Sequence, residues 1–146
     1  MSESKVRTKE ASGVNRGFTL IELMIAVAIV AIIAMIAIPS YTAQIVKGRR
    51  SAAEAFLMDI AQREQQYLLD VRGYAYSVAT LYSVATANTA TPVDVSTYYT
   101  ISFGPPPVTG PPTFTAIATP IAGTAQANDV VLTIDNTGAK TPANLW

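Results

Sequence analysis

Glu22 is the residue whose setting invites chemistry. It is the one charge among the 21 residues from Phe18 to Ile38, and the 16 residues from Leu23 to Ile38 carry no polar side chain. A carboxylate within such a stretch costs about 2.5–3.5 kcal/mol on insertion scales, so it either snorkels to an interface or meets a cation. The remaining acids are scattered, and the chain has no His and no Cys. It therefore lacks the commonest general base near neutral pH, the soft metal ligands and any disulfide. No phosphate-binding glycine loop, nucleophile elbow or acid cluster with metal spacing occurs. Ser, Thr and Lys without a base do not make a hydrolase. The chain reads as no enzyme, with no cofactor and no metal.

The element that must position Glu22 is the apolar run itself, which stops at Pro39. Roughly 20 apolar residues at about 1.5 Å each cross a ~30 Å hydrocarbon core, and a helix satisfies its own backbone there. Residues 1–16 are polar and read as a disposable leader. Through residue 17, Lys5, Arg7, Lys9 and Arg16 against Glu3 and Glu10 give +2, which leaves −2 for the rest of a chain of zero formal charge. A positive flank before an apolar span keeps the amino terminus cytoplasmic and exports the remainder of the chain.

Beyond Pro39 the helix continues with a different face. Ala53, Phe56, Leu57, Ile60, Tyr67 and Leu68 recur at three- and four-residue intervals, the period of an amphipathic helix. Arg50 with Glu54 and Asp59 with Arg63 stand four apart, as helix-surface ion pairs do. Gly73 after Arg72 is a natural stop. Pro39 removes the bond to the Met35 carbonyl and is expected to kink or open the helix, with Gly48 a second weak point. Residues 74–96 lack periodicity and read as a loop. Three strands are expected at Thr97–Phe103, Thr113–Thr119 and Asp129–Asp135, each alternating apolar with polar or small residues. Five prolines in the nine residues 104–112 make that connection a turn, and Asp135-Asn136-Thr137-Gly138 signals another.

Gly17-Phe18-Thr19-Leu20-Ile21-Glu22 resembles the prepilin-peptidase site of type IV pilins and pseudopilins, and the likeness runs through Pro39. The resemblance implies cleavage between Gly17 and Phe18, N-methylation of the new terminal Phe18, and an assembly role for Glu22 opposite a neighbouring subunit's amine. It also implies that the helix around Pro39 melts as subunits pack, although Ala31 stands where many relatives have a glycine. A conventional secretory signal would put a core of about 7–15 residues before its cut, whereas this longer core follows Gly17. Tyr98-Tyr99-Thr100-Ile101-Ser102, Gln126, Asp129, Leu132-Thr133-Ile134-Asp135, Gly138 and Trp146 look like the carboxy-terminal half of PilE-type minor pilins. Such relatives close the tail with a disulfide; Leu145, Val130 and Val131 stand at the corresponding places, so an apolar contact must replace it.

The expected fold is α+β: a long amino-terminal helix on a small antiparallel sheet. Its parts are a cleaved leader (1–17), a transmembrane and filament-core helix (18–39), an amphipathic helix (40–73), and a loop with the sheet (74–146). The expected function is a structural subunit of a type IV pilus, of the PilE-like minor kind. The alternatives are a major pilin, a type II secretion pseudopilin, or a DNA-binding minor pilin for DNA uptake. Expected partners are other pilin subunits, the prepilin peptidase and methyltransferase, and the inner-membrane assembly platform. The chain would sit once across the inner membrane before assembly and in a surface pilus after it. Nucleic acid is the weakest partner, because phosphate attracts clustered cations. Here the cluster is only Lys47, Arg49 and Arg50, with Arg63, Arg72 and Lys140 dispersed. The seven tyrosines show no continuous spacing that would carry electrons.

Overall fold

A computed structural model of the chain describes residues 17–146. The leader reading of residues 1–16 lies outside the described residues. Helix α1 runs Leu20–Val71 with Pro39 inside it, and the helix is unbroken there. A division into two compact units falls between Pro39 and Ser40.

In the first unit every large apolar side chain from Phe18 to Ile38 is exposed. This helix is apolar all round, and its large side chains are bare among the described residues. The second unit contains its own core. Ala53, Phe56, Leu57 and Ile60 of α1 pack there with Tyr74, Val78, Val95, Tyr99, Phe114, Ala116, Ala118, Leu132 and Ile134. Three- and four-residue spacing brings the α1 members to one stripe. Alternation brings Tyr99, Ala116, Ala118, Leu132 and Ile134 to one sheet face.

The sheet is an antiparallel meander, β1 Tyr99–Phe103, β2 Thr115–Pro120, β3 Leu132–Asp135 and β4 Lys140–Thr141, in that spatial order. Ile101 pairs with Ala118, Ala116 with Ile134, and Thr133 with Thr141. The strands correct the sequence expectation in their bounds, since β1 starts two residues later than expected, β2 is shifted, and β3 starts at Leu132 rather than Asp129. Val95 and Asp129 explain two of these shifts. Val95 belongs to a helical turn that ends beside β1, and the Asp129 side chain is claimed by an ion pair before β3 begins. The two-residue β4 was not expected, being too short to alternate.

Residues 74–96 are also corrected, from loop to a segment with three single-turn helices, α2 Val78–Leu81, α3 Ala87–Ala90 and α4 Val93–Ser96. One turn cannot show a period. The stop after α1 comes one residue early: Arg72 is left-handed (φ 58°) and its N–H meets the Leu68 carbonyl at 2.9 Å. That 5→1 bond makes Arg72, rather than Gly73, the residue that ends the helix. The turn at Asp135 is as expected. Its Oδ1 accepts from the Thr137 N–H at 2.8 Å and the Ala139 N–H at 3.0 Å, while Gly138 supplies φ 82°. Trp146 packs against the core and its Nε1 donates to the Thr141 carbonyl at 3.2 Å, so the tail is held by an indole.

Candidate functional site

The residues named for processing and assembly lie together at the start of α1. Gly17 and Phe18 precede the helix in exposed chain, Phe18 being 80% exposed. Among the described residues, a Cβ built on Gly17 meets nothing within 4 Å. The Thr19 hydroxyl accepts from the Glu22 N–H at 3.3 Å and the Thr19 carbonyl from the Leu23 N–H at 3.2 Å. Thr19 is thus the N-cap of α1, and Glu22 stands in the first turn where its charge complements the helix dipole. Sequence reasoning missed this cap; the Thr-x-x-Glu spacing was the signal for it.

From Glu22 onward the helix is a continuous apolar surface. The best 18-residue window of α1 has mean hydropathy 2.9 and none of it is buried. By length and composition it can cross a membrane. Leu23, Met24, Val27, Ala28 and Ala31 border a shallow hollow on it. The small alanines leave the space that the larger side chains frame.

The cations expected as a cluster are separated by what they meet in the second unit. Arg50 does not turn to Glu54 as the four-residue spacing suggested. Its Nη2 bonds Asp129 Oδ1, and its Nε donates to Oδ2 at 3.1 Å. The Asp129 side chain is fully enclosed and the Arg50 side chain is 18% exposed. A buried carboxylate draws a guanidinium more strongly than an exposed one does, because water screens it less. Tyr99 also donates its hydroxyl to Asp129 Oδ2. Gln126, fully buried, donates from Nε2 to the Val46 carbonyl at 3.0 Å and to the Tyr99 hydroxyl at 2.8 Å. Burial works to raise the Asp129 carboxyl, but the bonds from Arg50, Tyr99, the Val130 backbone and Gln126 outweigh it and hold the group below its ordinary value. Burial, then the bond to Asp129, pushes the Tyr99 hydroxyl well above the usual tyrosine range. The network ties α1 to β1 and to the β2–β3 connection, so its task is structural.

Arg49 lies over the Tyr98 ring, 3.7 Å from its centroid, beside a hollow bordered by Ile45, Gly48, Ala52 and Asp94. Arg63 pairs with Asp59 at 3.0 Å as expected, and Tyr82 also bonds that carboxylate. Lys140 lies 4.7 Å from the Trp146 ring. Lys47 and Arg72 are exposed. Among the described residues no three acids converge to hold a metal.

Glu64 is the other group the sequence did not mark. It is fully buried on α1; its Oε2 accepts from the Ala75 N–H at 2.8 Å, and its Oε1 has no partner. Burial raises its carboxyl, against the opposing pull of the Ala75 and Tyr76 backbone. It pins the chain between two left-handed residues, Arg72 (φ 58°) and Tyr76 (φ 51°). Its neighbours in the helical stripe are apolar, so an acid there reads as a solvated residue until the 72–76 turn folds over it.

Comparison with known proteins gives these surroundings relatives. The family model of the type IV minor pilin ComP, DNA uptake sequence receptor, matches residues 39–130. The prokaryotic N-terminal methylation motif matches residues 14–38. The type IV wide pilus major component PilA4 of Thermus thermophilus is 35% identical over 81 residues, 56% of this chain and 62% of that one. The type IV major pilin protein PilA of Myxococcus xanthus is 39% identical over 61 residues, 42% of this chain and 28% of that one. The chain thus spans less than two thirds of the length of either. A solved type IV pilin from Shewanella oneidensis superposes with a TM-score of 0.50 at 26% identity, covering 69% of this chain and 97% of that one.

Proposed function

The chain belongs to the type IV minor pilin family of ComP, and from that premise we propose that it is cut between Gly17 and Phe18, methylated on Phe18, and assembled as a minor subunit of an extracytoplasmic pilus. One observation carries the reading: among the described residues, the large apolar side chains from Phe18 to Ile38 are all exposed. Soluble proteins rarely leave such a surface bare, so lipid or other subunits must take it. Lipid and a helix bundle are similarly apolar, so the same surface serves as an inner-membrane anchor before assembly and as a filament core after it. In the assembled core Glu22 would meet the Phe18 amine of a neighbour, and that pairing would set register. The mechanism is packing; the peptidase, methyltransferase and assembly platform act on this chain.

The test is the intact mass of the protein in filaments sheared from cells. A mass lacking residues 1–17 and carrying one added methyl supports the reading, and low abundance beside another subunit supports the minor assignment. An uncut chain confined to the membrane fraction overturns it.

A second reading is DNA reception, favoured by the description of the matching family. Against it, Arg50 and Arg63 are engaged by Asp129 and Asp59. Two phosphate contacts per subunit would give an affinity falling with salt at a slope of only about −2. Retention of duplex DNA by filaments at about 150 mM salt, lost in a Lys47→Ala, Arg49→Ala double variant, would favour reception; no retention excludes it.

A further inference from the structure

Thr19 and Glu22 have the spacing of a capping box, and the Thr19 hydroxyl makes its half of the contact, to the Glu22 N–H at 3.3 Å. Helix α1 therefore begins at Leu20, and Gly17 and Phe18 are left in exposed, non-helical chain. Proteases take their substrates as extended segments, whose backbone groups are open to the enzyme. A bond inside a helical turn has already spent those groups on its own chain. We propose that Thr19 is a positioning residue for processing: by capping α1 it keeps the Gly17–Phe18 peptide out of the helix and open to the peptidase. In the step itself water adds across that peptide, leaving a carboxylate on Gly17 and an ammonium on Phe18. The inference rests on the processing reading above.

Two features of the sequence make the cap consequential. Asn15 is the nearest residue upstream of Thr19 whose side chain can cap a helix. A helix begun there would take Gly17 and Phe18 into its first turn, which glycine opposes without forbidding. Fraying in the other direction is closed, because the apolar residues after Leu20 must keep their backbone groups satisfied in lipid. Loss of the Thr19 cap is therefore relieved upstream, across the scissile bond.

The experiment uses the full-length chain in inner-membrane vesicles with prepilin peptidase, with cleavage monitored by mass. Thr19→Val keeps the shape and removes the capping oxygen, and it should be cut about five-fold more slowly, the effect of one typical cap. Thr19→Ser and Thr19→Asp cap well and should be cut near the wild-type rate, although Asp resembles Thr little. In detergent micelles the carbon shifts of labelled Phe18 in the uncut chain should be extended for wild type and Asp, and helical for Val. Wild-type cleavage of Thr19→Val overturns the proposal. So does slow cleavage of both Val and Asp with Phe18 extended in each, for then the peptidase reads the hydroxyl itself. A wild-type chain that is never cut overturns the processing reading and this one together, a result distinct from either.

Discussion

The two stretches of α1 on either side of Pro39 end in opposite situations. Before Pro39, Ile29 is 53% exposed and Met35 78%. After it, Leu57 and Ile60 are 0% exposed. The difference lies in content and in arrangement: from Leu20 to Ile38 only Glu22 is not apolar, whereas from Ser40 to Val71 the buried apolar residues form a stripe among polar ones. An apolar surface all round needs a surrounding medium, while a stripe needs one opposing face, and the chain supplies that face as a sheet. Charge obeys the same division. Glu22 stands exposed at the outset of a surface with no cations, whereas Asp129 is enclosed and already joined to Arg50. The first half is unfinished without copies or lipid, and the second finishes itself.

That contrast can be broken at its two ends. Glu22→Ala should leave insertion and processing intact yet lower incorporation into filaments at least about ten-fold, as loss of one member of a buried charge pair would. The ratio of variant to wild type in sheared filaments measures it, and equal incorporation removes the register role. Leu57→Ala should lower the stability of the detergent-solubilised chain by about 2–5 kcal/mol in denaturant unfolding. Leu23→Ala should not move that transition; a shift as large as that of Leu57→Ala would mean that the apolar half also contributes to the folded core.

Asp129→Ala should cost about 3 kcal/mol, because Arg50, Tyr99 and Gln126 would keep their buried positions without an acceptor. Arg63→Ala, which breaks an exposed pair, should leave the unfolding midpoint in place. Equal effects would show that enclosure does not separate the two pairs.

The smallest effect is on the pH profile of stability. Glu64 binds its proton more firmly folded than unfolded. Its contribution is fully present below its ordinary value of 4.5 and is lost as pH rises through the raised folded value. Asp129 has the opposite sign, with a contribution present above its ordinary 3.8 and lost as pH falls through the lowered value. Glu64→Gln should flatten the decline that begins as pH rises past 4.5 and leave the limb due to Asp129 unchanged. An unaltered decline in that window would show that another group causes it.

Much of this architecture is legible in the chain because it rests on periods and on punctuation. The residues from Leu20 to Ile38 are helical, and the stripe through Ala53, Phe56, Leu57 and Ile60 and the alternation at Ala116, Ala118, Leu132 and Ile134 reach the core as their spacing predicts. What fails is what one turn or two residues must carry: the short helices between Val78 and Ser96, and strand β4. The Thr19 cap was legible and overlooked.

Local pattern alone yields the apolar helix before Pro39, the amphipathic stripe after it and the sheet's inward face. Each is a local pattern that a helix or strand period turns directly into a surface. Only the tertiary structure decided that Arg50 turns to Asp129, 79 residues away, and that Glu64 is buried under the turn after α1. A charged side chain's partner is the group whose enclosure leaves it the least water. Enclosure belongs to the packed fold, and no spacing along the chain encodes it.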